Sequence, residues 1–88
     1  MKHSENFILR EILDESILVP VGEAAMRLNG MASMNEIGCF IFKALDQEQT
    51  EEQLVQKILA EYDVDEATAR ADLNEFLDQL RSIGALEE

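Results

Sequence analysis

The stretch MRLNGMASMNEIGCFIFKAL, residues 26–45, decides the fold because its hydrophobic period changes at Asn35. Before Asn35 the side chains are typical of an extended chain. After it, apolar residues follow the helical spacing i, i+3, i+4, i+7 and i+8, at Ile37, Phe40, Ile41, Ala44 and Leu45. The sequence therefore predicts a small sheet upstream that meets a helical bundle downstream, with the functional site beside the join.

Upstream of the join, the chain predicts short antiparallel strands. Residues 7–13 and 16–21 are rich in β-branched and aliphatic side chains and form the first two. Residues 25–34 continue as extended chain around Asn29-Gly30, a pair that allows either a type I′ hairpin or one edge strand with a bulge at Gly30. Both readings stay open, so we expect three or four strands. We expect the polar residues 1–6 to be disordered.

Downstream of the join, three helices are predicted from their end signals. Asn35 is a good N-cap for residues 35–46, Thr50 opens a capping box with Gln53, and Asp65 caps a third helix that Gly84 ends. These elements predict an α+β, winged-helix-like fold, with an N-terminal antiparallel sheet packed on a three-helix bundle. The 88 residues are expected to form one domain, 1–88.

The net charge of −12 excludes several classes of partner. Residues 1–44 carry four basic and six acidic groups, whereas residues 45–88 carry three basic and thirteen acidic groups. A phosphate backbone and an anionic membrane surface are both repelled by such a helical half, so neither nucleic acid nor membrane is an expected partner. The single Cys39 and the lack of a signal-peptide core predict a cytoplasmic protein.

The inventory of reactive side chains predicts no enzyme. His3 is the only histidine and lies in the segment expected to be disordered, so neither Ser nor Cys has an ordered base. Zinc would need several nitrogen and sulfur ligands, and the chain has only one histidine and one cysteine. Asp63-Val-Asp65-Glu resembles the start of a calcium loop, but Thr68 stands where that loop needs glycine. We therefore expect neither a metal nor a cofactor.

One stripe of the third helix is a candidate binding surface. Two of the three basic residues of the acidic half, Arg70 and Arg81, lie on this helix. At 100° per residue they fall on the same side of the helix as the amide Asn74 and the aliphatic Leu77. They flank the predicted core stripe, which includes Leu73. Such a strip suits one wall of a peptide groove, although ordinary surface ion pairs explain it equally well.

The order and spacing of short motifs along residues 7–87 resemble the PqqD-like family, the recognition elements for ribosomally made precursor peptides. The residues that carry the resemblance are Leu9-Arg-Glu-Ile12, Ile17-Leu-Val-Pro-Val-Gly-Glu-Ala24, Leu28-Asn-Gly30, Met34-Asn-Glu-Ile-Gly38, Phe40-Ile-Phe42, Thr50-Glu-Glu-Gln-Leu54, Tyr62-Asp-Val-Asp65, Asp72-Leu73, Phe76-Leu-Asp-Gln-Leu80 and Gly84. Phe42 departs from the family, in which many members have tryptophan.

The resemblance implies a non-catalytic peptide chaperone. Such proteins hold the leader segment of a precursor peptide as an added β-strand, between the third strand and the third helix, and present it to a modifying enzyme, often a radical S-adenosylmethionine enzyme. Carried onto this chain, the strand wall is Arg27, Leu28, Met31, Ala32, Ser33 and Met34. The helix wall is Arg70, Leu73, Asn74, Leu77 and Arg81. Leaders are frequently acidic, which Arg27, Arg70 and Arg81 would suit.

Two other functions compete with this one. A winged-helix DNA-binding regulator would need a basic recognition helix, and the third helix here is mainly acidic. A general interaction domain would recruit a partner through its strand edge without any modified peptide. An exposed edge also pairs with its own copy, so both a monomer and a homodimer through that edge are consistent with the sequence.

Overall fold

The computed structural model of the protein describes residues 1–28, 30 and 32–88. Five strands and four helices follow one another in these ranges. In chain order they are β1 (Lys2–His3), β2 (Phe7–Ile12), β3 (Glu15–Pro20), α1 (Gly22–Arg27), β4 (Ala32–Met34), α2 (Glu36–Ala44), α3 (Glu51–Glu61), α4 (Glu66–Ser82) and β5 (Leu86–Glu87).

The main sheet is antiparallel, with the strand order β2-β3-β4. The register pairs Leu9 with Leu18 and Ser16 with Met34, so these side chains share the face that packs on the helices. Buried apolar side chains from this face and from α2, α3 and α4 form a single core. The predicted α+β architecture, a three-stranded antiparallel sheet on a helical bundle, is confirmed.

The helix ends follow the predicted chemistry. The Asn35 side chain accepts a hydrogen bond from the Gly38 N–H, and the Asp65 side chain accepts one from the Thr68 N–H. Thr50 and Gln53 form both hydrogen bonds of a capping box. Gly84 has φ +74°, a left-handed conformation that suits glycine after a helix. No helix in the described ranges is both long and apolar enough to cross a bilayer.

The hydroxyl of Thr50 stabilises the start of α3. Replacing Thr50 by alanine removes the side-chain acceptor for the Gln53 N–H and is expected to lower the free energy of unfolding by about 1 kcal/mol. Urea unfolding measures the change. Thr50→Ser keeps the hydroxyl oxygen and should recover most of the loss, and an equal loss in both variants would contradict the assignment of the cap.

Residues 25–27 are not extended, contrary to the prediction, because Gly22–Arg27 forms the helix α1; the chain becomes extended at Leu28. Ala24 is completely buried, and the segment contains the good helix formers Ala, Met, Glu and Arg. A helix of six residues is too short to display the 3.6-residue period, which is why the pattern missed it. The choice between a hairpin and a bulge at Asn29-Gly30 lies outside the described residues, because Asn29 is not described.

Residues 1–6 are ordered, contrary to the prediction. β1 pairs antiparallel with β5, and the N–H groups of His3 and Ser4 donate to the carbonyl oxygens of Leu45 and Ala85. The His3 ring stacks on Phe42, with the ring centroids 4.2 Å apart. Pairing over such a distance in sequence leaves no local pattern in a two-residue strand, so the sequence alone predicted a free tail.

Candidate functional site

β4 is an open edge of the main sheet. Its residues Ala32–Met34 pair with β3, and no other strand within the described ranges lies along the opposite side of β4. An open edge presents backbone N–H and C=O groups that a further strand can pair with. β4 is therefore an edge of this sheet at which an extended peptide could be added.

A groove of about 530 Å³ lies between this edge, the start of α2 and one side of α4. The Asn35 cap shapes its end, because the chain passes directly from β4 through Asn35 into α2. The lining residues are Ser33, Met34, Asn35, Ile37, Gly38, Asp72, Glu75, Phe76 and Gln79. The groove thus combines an open strand edge with a helix wall, the arrangement that peptide addition requires.

The close approach of α2 and α4 forms the bottom of the groove. A Cβ atom placed on Gly38 would lie only 2.9 Å from Cε1 of Phe76 and 3.0 Å from Oδ1 of Asn35. Phe76 is 7% exposed and belongs to the core. Gly38 therefore marks a close approach between α2 and α4, and the groove has an aromatic and aliphatic floor made by Phe76, Ile37 and Met34.

The helix wall of the groove is acidic. Asp72 and Glu75 line it, and Gln79 continues the same side of α4 one turn later. Asp72 is half-buried, whereas Glu75 and Gln79 are exposed. These positions follow the spacing i, i+3 and i+7, so they form one continuous strip along the helix.

The stripe that the sequence singled out lies on the other side of α4. Leu73 and Leu77 are buried in the core, with exposures of 0% and 1%. At 100° per residue, Arg70 and Arg81 point about 180° away from the strip formed by Asp72 and Gln79. None of the five residues Arg70, Leu73, Asn74, Leu77 and Arg81 lines the groove.

Both arginines of this stripe already form ion pairs with carboxylates of the protein. Arg70 forms ion pairs with Glu52 of α3 and with Glu66, and Arg81 pairs with Asp78 and Glu88. The hydrogen bonds that Arg70 donates to Glu52 and Glu66 raise the pKa of Arg70, and the hydrogen bond that Arg81 donates to Glu88 is the main cause that raises the pKa of Arg81. These contacts are the ordinary surface pairs that the sequence allowed as the alternative explanation.

The predicted strand wall is divided between three places. Ser33 and Met34 line the groove, and Ala32 begins the same strand. Arg27 ends α1, and its Nη2 lies 3.7 Å from a Cβ atom built on Gly84, beyond the end of α4. Leu28 is half-buried against the core. Met31 lies outside the described residues.

Sequence reasoning missed the acidic side of the groove. The binding residues predicted from the sequence include none of the groove residues of α4, which are Asp72, Glu75, Phe76 and Gln79. The one signal that pointed to this side was Gly38, since a glycine inside α2 indicates that another element packs closely there. That element is α4, through Phe76.

Two comparisons with known proteins find similar molecules. The family described as "Coenzyme PQQ synthesis protein D (PqqD)" matches residues 15–86. The solved structure of TbiB1 in complex with the TbiA(beta) leader peptide has a TM-score of 0.77 to this chain at 30% sequence identity, and the match covers 99% of this chain and 95% of that chain. A comparison with curated protein sequences finds no match.

Proposed function

This chain belongs to the PqqD family, and from that premise we propose that it is a peptide-binding adaptor for the biosynthesis of a ribosomally made, modified peptide. It captures the leader segment of a precursor peptide as a strand added beside β4. The observation that carries the proposal is the open edge of β4 along a groove whose other wall is α4. The similar protein TbiB1 has been solved with a leader peptide, which supports the same ligand here.

Two features of the groove give an added strand both affinity and specificity. The backbone of the leader would pair with β4, as in other cases of β-strand addition, and this pairing is independent of sequence. Alternate side chains would point into the groove, over Met34, Ile37 and Phe76. Specificity then comes from the few leader residues that face α4.

In this role the chain catalyses no reaction itself. Its role is to raise the local concentration of the precursor at a modifying enzyme, because a tethered substrate reacts as if it were part of the same molecule. We infer from the family that this enzyme is of the radical S-adenosylmethionine type and that both proteins work in the cytoplasm. A nucleic-acid ligand fits poorly, since Asp72 and Glu75 line the groove and would repel a phosphate backbone.

An NMR titration of the full chain tests the proposal. The probes are synthetic peptides that together cover the leader of a short precursor encoded beside this gene, and the control is a scrambled peptide of the same composition. We expect amide shifts to cluster in residues 32–38 and 72–79. N-methylation of alternate residues should abolish binding at one set of positions and spare the other, because only every second residue of a strand hydrogen-bonds to a given neighbour.

Other distributions of shifts would contradict the proposal. Shifts confined to Glu51–Glu61 of α3, or binding that tolerates N-methylation at every position, would exclude strand addition at β4. Since the same edge would serve a homodimer, the titration is repeated over a range of protein concentrations. A peptide affinity that falls as the protein concentration rises would show that a second copy competes for the edge.

A further inference from the structure

The negative charge of the groove is not neutralised by the protein itself. Within the described ranges, Asp72 and Glu75 form no ion pair, although both face the groove. On the opposite side of α4 the situation is reversed, because Arg70 and Arg81 are each held by two carboxylates. On α4, the charged side chains without an ion pair to another described residue are therefore the acidic Asp72 and Glu75.

We propose that the peptide recognised by this groove carries a lysine or arginine side chain facing α4, held by Asp72 and Glu75, with an aliphatic side chain beside it over Phe76. The inference rests on the proposed function and specifies the class of its ligand. The reason to place a ligand here is independent of these charges: it is the open edge of β4, together with the similar TbiB1 solved with a leader peptide. The carboxylates then determine which peptide fits.

The geometry of an added strand limits how many side chains take part. Met34 packs against the core, so the face of β4 that carries Met34 is the one turned toward the helices. Side chains on one face of a strand repeat about every 6.6 Å. From Asp72 to Gln79, α4 rises by about 10.5 Å, which is room for two such side chains. A basic and an aliphatic residue two positions apart therefore fill the wall.

The surroundings of the carboxylates favour a cation more than an open surface would. Asp72 is half-buried beside the core residue Phe76, and a partly buried pair is screened less by salt than an exposed one. Residues 45–88 carry thirteen acidic and three basic groups, so the helical half attracts a basic segment over a long range. An acidic leader, which the arginine stripe would have suited, meets repulsion in this groove.

The preference for a basic side chain can be measured with a random peptide library that is displayed on phage and selected on the immobilised full chain. We expect the selected peptides to share a lysine or arginine two residues from an aliphatic residue. One selected peptide is then measured against three proteins: the wild type, the groove variant Asp72→Asn/Glu75→Gln, and the control variant Glu61→Gln/Asp63→Asn. The control removes two charges that do not line the groove.

The groove variant should bind the selected peptide about five- to thirtyfold more weakly, as the loss of one partly buried and one exposed ion pair implies. The control should change the affinity less than about twofold, and added salt should reduce the difference between the two variants. Replacing the basic residue of the peptide by norleucine should bring the wild type to the level of the groove variant.

The alternatives give distinct results. Selected peptides with aspartate or glutamate at the position facing α4, or equal losses in the groove and control variants, would overturn the inference. If these peptides still shift the protein's amide signals in residues 32–38, the proposed function stands without this inference. If no peptide of any charge perturbs residues 32–38, the proposed function fails, and this inference fails with it.

Discussion

Replacing Leu73 by alanine is expected to lower the free energy of unfolding by about 2–5 kcal/mol. Leu73 is 0% exposed and belongs to the core formed by the sheet and the helices. Its truncation loses the transfer energy of the buried side chain and leaves a cavity that a close-packed interior fills only in part. Urea unfolding with an unchanged m value would report the loss as one of stability.

The neighbouring Asn74 supplies the control for this experiment. It belongs to the same predicted stripe but is exposed, so Asn74→Ala should change stability by less than about 0.5 kcal/mol. Neither variant is expected to alter peptide affinity when measured on folded protein. A Leu73→Ala protein that kept its stability and lost affinity would place Leu73 on the wall of the groove and contradict its burial.

Replacing Gly38 by valine is expected to lower the free energy of unfolding by about 1–3 kcal/mol and to block the floor of the groove. The new Cβ would stand 2.9 Å from Cε1 of Phe76, whose ring is nearly buried and has little room to move. Valine is a better helix former than glycine by a few tenths of a kcal/mol, which offsets only part of this clash. Peptide binding at β4 should weaken in the same variant.

Ala60→Val is the matched control, since it introduces the same side chain at an exposed position of α3. Its expected cost is about 0.5 kcal/mol from helix propensity, with no change in peptide affinity. Thermal or urea unfolding measures both variants. A Gly38→Val protein as stable as the wild type would mean that α2 and α4 can separate, and that the narrow contact between them does not shape the groove.

Features that depend on neighbouring residues were predictable from the sequence. The caps at Asn35, Thr50 and Asp65 and the left-handed Gly84 all lie where their chemistry indicated. Each cap joins a side chain to a backbone N–H three residues away, and Gly84 depends on its own backbone conformation, so the local pattern contains the whole signal. The order of these signals along the chain also sufficed for the resemblance to the PqqD-like family, which the family match confirms.

Features that depend on distant or very short segments were not predictable. The strands β1 and β5 have two residues each and exist because they pair with each other across nearly the whole chain. The helix α1 is shorter than two turns and is held by the burial of Ala24. Neither a two-residue strand nor a six-residue helix is long enough to show a period, so tertiary contacts alone define them.

The side of α4 that faces the groove shows the same division. The sequence by itself determined the buried stripe through Leu73, Phe76 and Leu80, because apolar periodicity is a property of the helix alone. Two flanks border that stripe, one with Arg70 and one with Asp72, and a helical wheel treats them alike. Only the tertiary structure decided between them, because the packing of α3 against one flank leaves the other beside β4.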